Sequence, residues 1–193
     1  MALLTGSKKI KTAVFISGTG SNLQSLIKFS KLKKSPILIE MVVSNNPKSK
    51  GLDFAKIYKI RKKIFNFKQR SLAEKEILLQ LKKSKIDLIC LAGFMKILSK
   101  NFILNFKGDI LNIHPSLLPK YKGLNTHEKA IKNKDQYSGC TVHFVDSKLD
   151  SGKIIIQKKV KIRKNDTPNS LSKKILTQEH KLYPKAILKI SSP

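Results

Sequence analysis

Residues 12–32 read TAVFISGTGSNLQSLIKFSKL. Residues 12–17 are a continuous β-rich run, and the two glycines of Gly18-Thr19-Gly20-Ser21-Asn22 follow at once. Leu23, Leu26 and Ile27 then recur at helical spacing. Strand, tight turn and amphipathic helix is the βα unit from which a doubly wound sheet is built. Glycines let a backbone come close to a ligand, and the first amides of a helix attract an anion. The turn therefore reads as a phosphate site, and equally as an ordinary turn with Ser21 as helix N-cap. It is not a dinucleotide fingerprint: Leu23 replaces the third glycine, and the second strand ends in Ser44-Asn45 without the ribose-binding acid. Nor is it a Walker A loop, which needs Gly-Lys-Ser/Thr.

Outward from this unit the pattern repeats. Residues 36–43 (PILIEMVV) predict a second strand, 51–58 a helix, and 63–67 a short third strand. Ser71 and Glu74 form a capping box opening a helix to about residue 85, with Leu72, Ile77, Leu78 and Leu79 as its apolar stripe. Residues 87–91 (DLICL) are an apolar strand, which Ala92 to Leu98 leave at its carboxyl end. There Phe94, Met95, Ile97 and Leu98 either wall a flat apolar slot or pack as core. The expected class is α/β: a doubly wound, mostly parallel, Rossmann-like sheet in a single domain.

The chemistry is expected at residues 109–123. Asp109-Ile-Leu-Asn-Ile reads as a buried strand running into His114-Pro115, where proline ends ladder pairing. Asn112 and His114 are two apart, so they share a face at the carboxyl edge of the sheet, where open α/β sheets bind ligands. Beyond them come a helix at 126–132, a strand at 139–145, an acidic turn-rich loop at 146–152 and a strand at 154–162. A last helix starts at Pro168, with a kink or restart at Tyr183-Pro184. His143 alternates with Val142 and Phe144 and reads as a structural or secondary contact.

The 193 residues carry 40 basic against 12 acidic side chains, a net charge of +28. Only Arg61, Arg70 and Arg163 are arginine, and lysines fall in every segment, at 8–11, 31–34, 82–85 and 158–164. A nucleic-acid surface concentrates charge and uses arginine forks, so no specific nucleic-acid partner is expected. The field still draws anionic small molecules. The apolar stretch at 86–98 is broken by Asp87 and Lys96 and is too short for a bilayer, so no membrane association is expected. Residues 1–10 do not have the layout of a secretory signal. Cys90 and Cys140 suggest no disulfide, and a cytoplasmic location follows. No H-E-x-x-H or C-x-x-C spacing occurs, so no metal is expected.

The ordered set GTGSN (18–22), DLICLAGFMKILS (87–99), LNIHPSLLPKYKGLNTH (111–127), GCTVHFVDSKLDSG (139–152) and TQEHKLYP (177–184) resembles the folate-dependent phosphoribosylglycinamide formyltransferases, over roughly residues 13–184. The resemblance implies transfer of a formyl group from 10-formyltetrahydrofolate to glycinamide ribonucleotide, in de novo purine biosynthesis, without metal or covalent intermediate. By the same resemblance Asn112 polarises the carbonyl, His114 donates to the oxyanion, and Asp150 orients His114 and relays a proton. Gly20, Ser21 and Asn22 cradle the substrate phosphate, and Glu179 contacts the glycinamide end. Phe94, Met95, Lys96, Ile97 and Leu98, with Val145, Asp146 and the loop to Asp150, wall the folate pocket. A phosphate-binding half at about 12–108, a catalytic and folate half at about 109–188, a cis Leu118–Pro119 bond, and a monomer or weak homodimer are also expected. Lys96 stands where many members have arginine, and Asn125 where histidine is frequent. The alternatives are another folate-dependent formyltransferase, such as one acting on methionyl-tRNA, and a non-catalytic nucleic-acid-binding derivative. The short chain and the GTGSN loop argue against the first, and the intact Asn112, His114 and Asp150 against the second.

Overall fold

A central strand β1 (Ile10–Ile16) has β2 (Ile37–Ser44) and then β3 (Arg61–Ile64) on one side. On its other side follow β4 (Leu88–Leu91), β5 (Asp109–His114), β6 (Tyr137–Phe144) and β7 (Ile154–Lys161). The first five strands are parallel; β6 pairs antiparallel with β5 and β7 antiparallel with β6, so β6 alone is reversed. The computed structural model describes residues 9–191. The reading of residues 1–10 as lacking a secretory signal therefore lies, for residues 1–8, outside the described residues.

Helices cover both faces, as parallel strands buried on both sides require. On one face α1 (Ser21–Ser30), α2 (Gly51–Ile57), α5 (Thr126–Lys132) and α6 (Pro168–Ser191) pack through Leu23, Leu26, Leu52, Ala130, Leu171 and Tyr183. On the other, α3 (Arg70–Lys83) and α4 (Lys100–Asn105) pack through Ile77, Leu81 and Phe102. The Tyr183 hydroxyl donates to the Leu91 and Leu111 carbonyls at 3.1 and 3.0 Å, tying α6 to β4 and β5. Cys90 and Cys140 are buried free thiols.

Several local expectations are corrected. The third strand comes earlier than 63–67, because the chain at Phe67 enters a 3-10 turn capped by Asn66. The N-cap of α1 is Gly20, left-handed at φ +76 with no side-chain cap, so Ser21 does not cap. Nor do Ser71 and Glu74 form a capping box. The carboxylate of Glu74, buried in α3, instead accepts from the backbone N–H and hydroxyl of Ser99, the N-cap of α4. Leu72 and Leu79 are exposed, and Ala73, Ile77 and Leu81 form the buried stripe. The last helix neither ends nor restarts at Pro184. A proline at 184 removes the donor for the His180 carbonyl, and the Ser25 hydroxyl supplies one at 2.7 Å. The Leu118–Pro119 bond is cis, as expected.

Candidate active site

The glycine turn after β1 is strapped to the next βα connection. The Gly18 carbonyl accepts from Gly51 N–H at 3.1 Å and from the Ser49 hydroxyl at 2.7 Å. A Cβ on Gly20 would stand 2.4 Å from the Gly51 Cα, so glycine is required there by packing as well as by φ. At the end of β1, Ser17 donates to Asn45 at 2.5 Å and accepts from Met95 N–H at 2.8 Å. This fixes the start of the 92–98 segment beside the turn.

At the carboxyl edge of β5, Asn112 and His114 project together. Their register partner on β6 brings in a third group: Asn112 lies opposite His143. The Asn112 amide nitrogen is 3.3 Å from His143 Nε2 and 3.4 Å from Asp150 Oδ1. Both contacts are near the limit of a hydrogen bond, so the amide is released to another acceptor at small cost. Asp150 Oδ2 accepts from Gly123 N–H at 2.8 Å and stands 3.4 Å from His114 Nδ1. The other nitrogen of His114, Nε2, donates to the Tyr121 carbonyl at 2.8 Å. That bond assigns the neutral tautomer with its lone pair on Nδ1, facing the carboxylate.

Burial by itself would raise the Asp150 carboxyl pKa, but the His143 hydrogen bond, the Gly123 N–H and the His114 charge hold it below its ordinary value. Burial pushes His114 below the ordinary imidazole value, with His143 and Lys129 adding to the shift, against the Tyr121 carbonyl and Asp150. At neutral pH the cluster is thus a carboxylate beside a neutral imidazole and an amide.

Two cavities adjoin at this edge of the sheet, and the larger opens on the cluster. The larger, about 770 Å³, is lined by all three expected catalytic residues and by Phe94, Met95, Lys96, Ile97, Leu98, Val145 and Asp146. Met95 and Ile97 are 67% and 63% exposed, an apolar surface presented to the opening and not spent on core, whereas Leu98 is buried. Phe94 packs edge-on against Phe15 and Phe67. The smaller cavity, about 290 Å³, is lined by Gly20, Ser21, Asn22 and Glu179. Asn22 donates to Glu179 Oε2 at 2.7 Å, and burial raises the Glu179 carboxyl despite that bond. Gly93, Ile113, Pro115 and His127 belong to both walls, so the cavities meet beside His114. Each draws on both halves of the chain: residues 93–98 serve the larger and Glu179 the smaller.

Every expected site residue therefore lines one of the two cavities. His143 holds a closer place than its alternating pattern suggested, since it touches both Asn112 and Asp150. Tyr121 and Gly123 act through backbone groups, for which side-chain type gives no signal. Among the described residues no group of three or more His, Cys, Asp or Glu is placed to hold a metal ion.

The Rossmann-like sheet and its edge cluster are those of an α/β group-transfer protein, with separate room for two reactants. The chain belongs to the formyl transferase family, whose model matches residues 10–187. It is 40% identical to the phosphoribosylglycinamide formyltransferase of Escherichia coli, over 90% of this chain and 84% of that one. It is 44% identical to the human trifunctional purine biosynthetic protein adenosine-3 over 96% of this chain, but spans only 19% of that protein's length. The crystal structure of phosphoribosylglycinamide formyltransferase from Brucella melitensis superimposes with a TM-score of 0.91 at 39% identity, covering 96% of this chain and 97% of that one.

Proposed function

We propose that this protein transfers the formyl group of 10-formyltetrahydrofolate to the amine of glycinamide ribonucleotide, a step of purine biosynthesis. The observation that carries the proposal is the place of the Asn112, His114 and Asp150 cluster, on the wall of the larger cavity beside its seam with the smaller. The larger cavity has the volume and apolar walls of a site for a folate-sized ligand. The smaller, between the glycine turn and Glu179, suits a phosphoribosyl group, with the phosphate on the first amides of α1.

In this reading the amine attacks the formyl carbon, a C–N bond forms and the carbonyl electron pair moves to oxygen. The Asn112 amide donates to that oxygen. His114 Nδ1 donates to it after taking a proton from solvent in the cleft, a state favoured by Asp150 at 3.4 Å and by the negative charge building on the substrate, and returns that proton to solvent as the intermediate collapses. The Asp150 carboxylate accepts a proton from the attacking amine and returns it, through solvent in the cleft, to the folate nitrogen as the old C–N bond breaks. Protons and electrons balance without a covalent enzyme intermediate. His143 holds Asn112 and Asp150 in register. The protein acts on small molecules and needs neither metal nor ATP.

The test is donor turnover. 10-Formyltetrahydrofolate is expected to become tetrahydrofolate only when glycinamide ribonucleotide is present, with chelator making no difference, and Asn112→Ala is expected to abolish the reaction. Folded wild-type protein inactive in that assay, or turning over donor with charged initiator tRNA instead, overturns the proposal.

A further inference from the structure

Asn22 and His127, both on the wall of the smaller cavity, each carry a buried polar atom without a hydrogen-bond partner, Oδ1 and Nδ1. Buried polar groups are ordinarily paired, so two unpaired ones on residues walling a single cavity of about 290 Å³ fit groups kept for a polar ligand. Asn22 already belongs to the glycine turn. His127 is unaccounted for: it takes no part in the Asn112, His114 and Asp150 cluster.

Its placement is specific. His127 is the second residue of α5 and lines both cavities. Thr126, just before it, donates from its hydroxyl to the Pro115 carbonyl at 2.9 Å, which pins the start of α5 to the residue after His114. Asn125, left-handed at φ +59, makes the turn that delivers the chain there. The ring therefore stands at the seam, on the acceptor side of the catalytic imidazole. Burial, with the nearby His114 adding to it and Glu128 opposing, lowers the His127 pKa. The ring is neutral at physiological pH and retains one nitrogen able to accept a hydrogen bond.

We propose that His127 is a substrate-contacting residue that recognises the acceptor: its imidazole accepts a hydrogen bond from the amino end of the ribonucleotide and turns the amine's lone pair toward the formyl carbon. This rests on the function proposed above and adds a specificity determinant to it. A phosphate held at the glycine turn anchors any ribose phosphate, and His127 distinguishes one that carries an amine at the far end.

The experiment uses the whole protein and two probes, glycinamide ribonucleotide and ribose 5-phosphate, with affinities measured by calorimetry and turnover with both substrates varied. His127→Ala is expected to weaken glycinamide ribonucleotide roughly tenfold or more, the loss of one buried hydrogen bond. It leaves ribose 5-phosphate affinity near wild type. His127→Asn, whose amide oxygen accepts in place of the ring nitrogen, restores part of the difference. If the alanine variant unfolds, His127→Leu fills the space without a polar atom and gives the same pair of readings. Equal loss on both phosphates, or no loss on either, overturns the inference. Wild-type protein that neither binds nor formylates glycinamide ribonucleotide overturns the function itself, whatever the variants do.

Discussion

Asp150 occupies the left-handed region at φ +46, which aspartate and asparagine tolerate and alanine does not without roughly 1–2 kcal/mol of strain. Two variants at this position therefore separate chemistry from folding. Asp150→Asn keeps the backbone and the shape but loses the charge, so turnover is expected to fall about 10²–10⁴-fold with the thermal midpoint nearly unchanged. Asp150→Ala is expected to lose the same activity and also to melt earlier; equal midpoints for the two variants exclude the strain. The sign of the acid response follows from the partly buried imidazoles, in the cluster and outside it. His114, His127 and His180 titrate in the fold below the ordinary value of 6.5. In the window below 6.5 the unfolded chain binds more protons than the native one, so stability is lost as pH falls through it. Asp150, held below its ordinary 3.8, extends the loss to lower pH, and Glu179, raised above 4.5, has the opposite sign. Melting at pH 7.5 and 5.5 is expected to show the lower midpoint at 5.5.

Between neighbouring elements, the contacts that shape the site are short and local. Gly20 and Gly51 meet backbone to backbone, so Gly20→Ala forces α1 and α2 apart and is expected to cost about 1–3 kcal/mol of stability. It is also expected to weaken acceptor binding. A Cβ on Gly18 meets nothing within 4 Å, and Gly18→Ala is the contrasting variant, near wild type in a thermal melt. Glu74→Ala leaves the Ser99 N–H and hydroxyl without their acceptor and is expected to cost about 1–3 kcal/mol, with looser folate binding because Ser99 ends the 92–98 wall. Calorimetric melting alongside folate titration checks both effects. Asn112 and His114 were legible from the sequence because period-two alternation is a local rule and both lie on one strand. The contact to His143 was not, since it depends on the register of an antiparallel strand 31 residues away. Glu74 was misread because its spacing from Ser71 satisfies a capping rule, while its real partners lie on another helix. Pro184 was misread for a related reason, its lost bond being replaced at the His180 carbonyl by the side chain of Ser25.

For the whole molecule, the charge of +28 includes both borders of the sheet. Arg61 and Lys62 on β3, and Lys158, Lys159 and Lys161 on β7, are exposed charges on the two edge strands, and charge on an edge discourages pairing with another chain. Weak RNA binding is expected, falling steeply with salt and unchanged by Asn112→Ala. A mobility-shift titration checks this, and binding that survives high salt contradicts a purely diffuse field. The alternation of strands and helices made the parallel part of the sheet readable; the reversal of β6 between β5 and β7 was not, because strand direction leaves no trace in local spacing. The shared seam between the cavities has a consequence for descent. Residues 147–150 line only the larger cavity, while residues 18–22 and Glu179 line only the smaller. On the proposed function, a lineage can exchange the molecule that receives the carbon unit by altering the glycine turn, His127 and one face of α6, while the residues that wall the larger cavity alone are inherited intact.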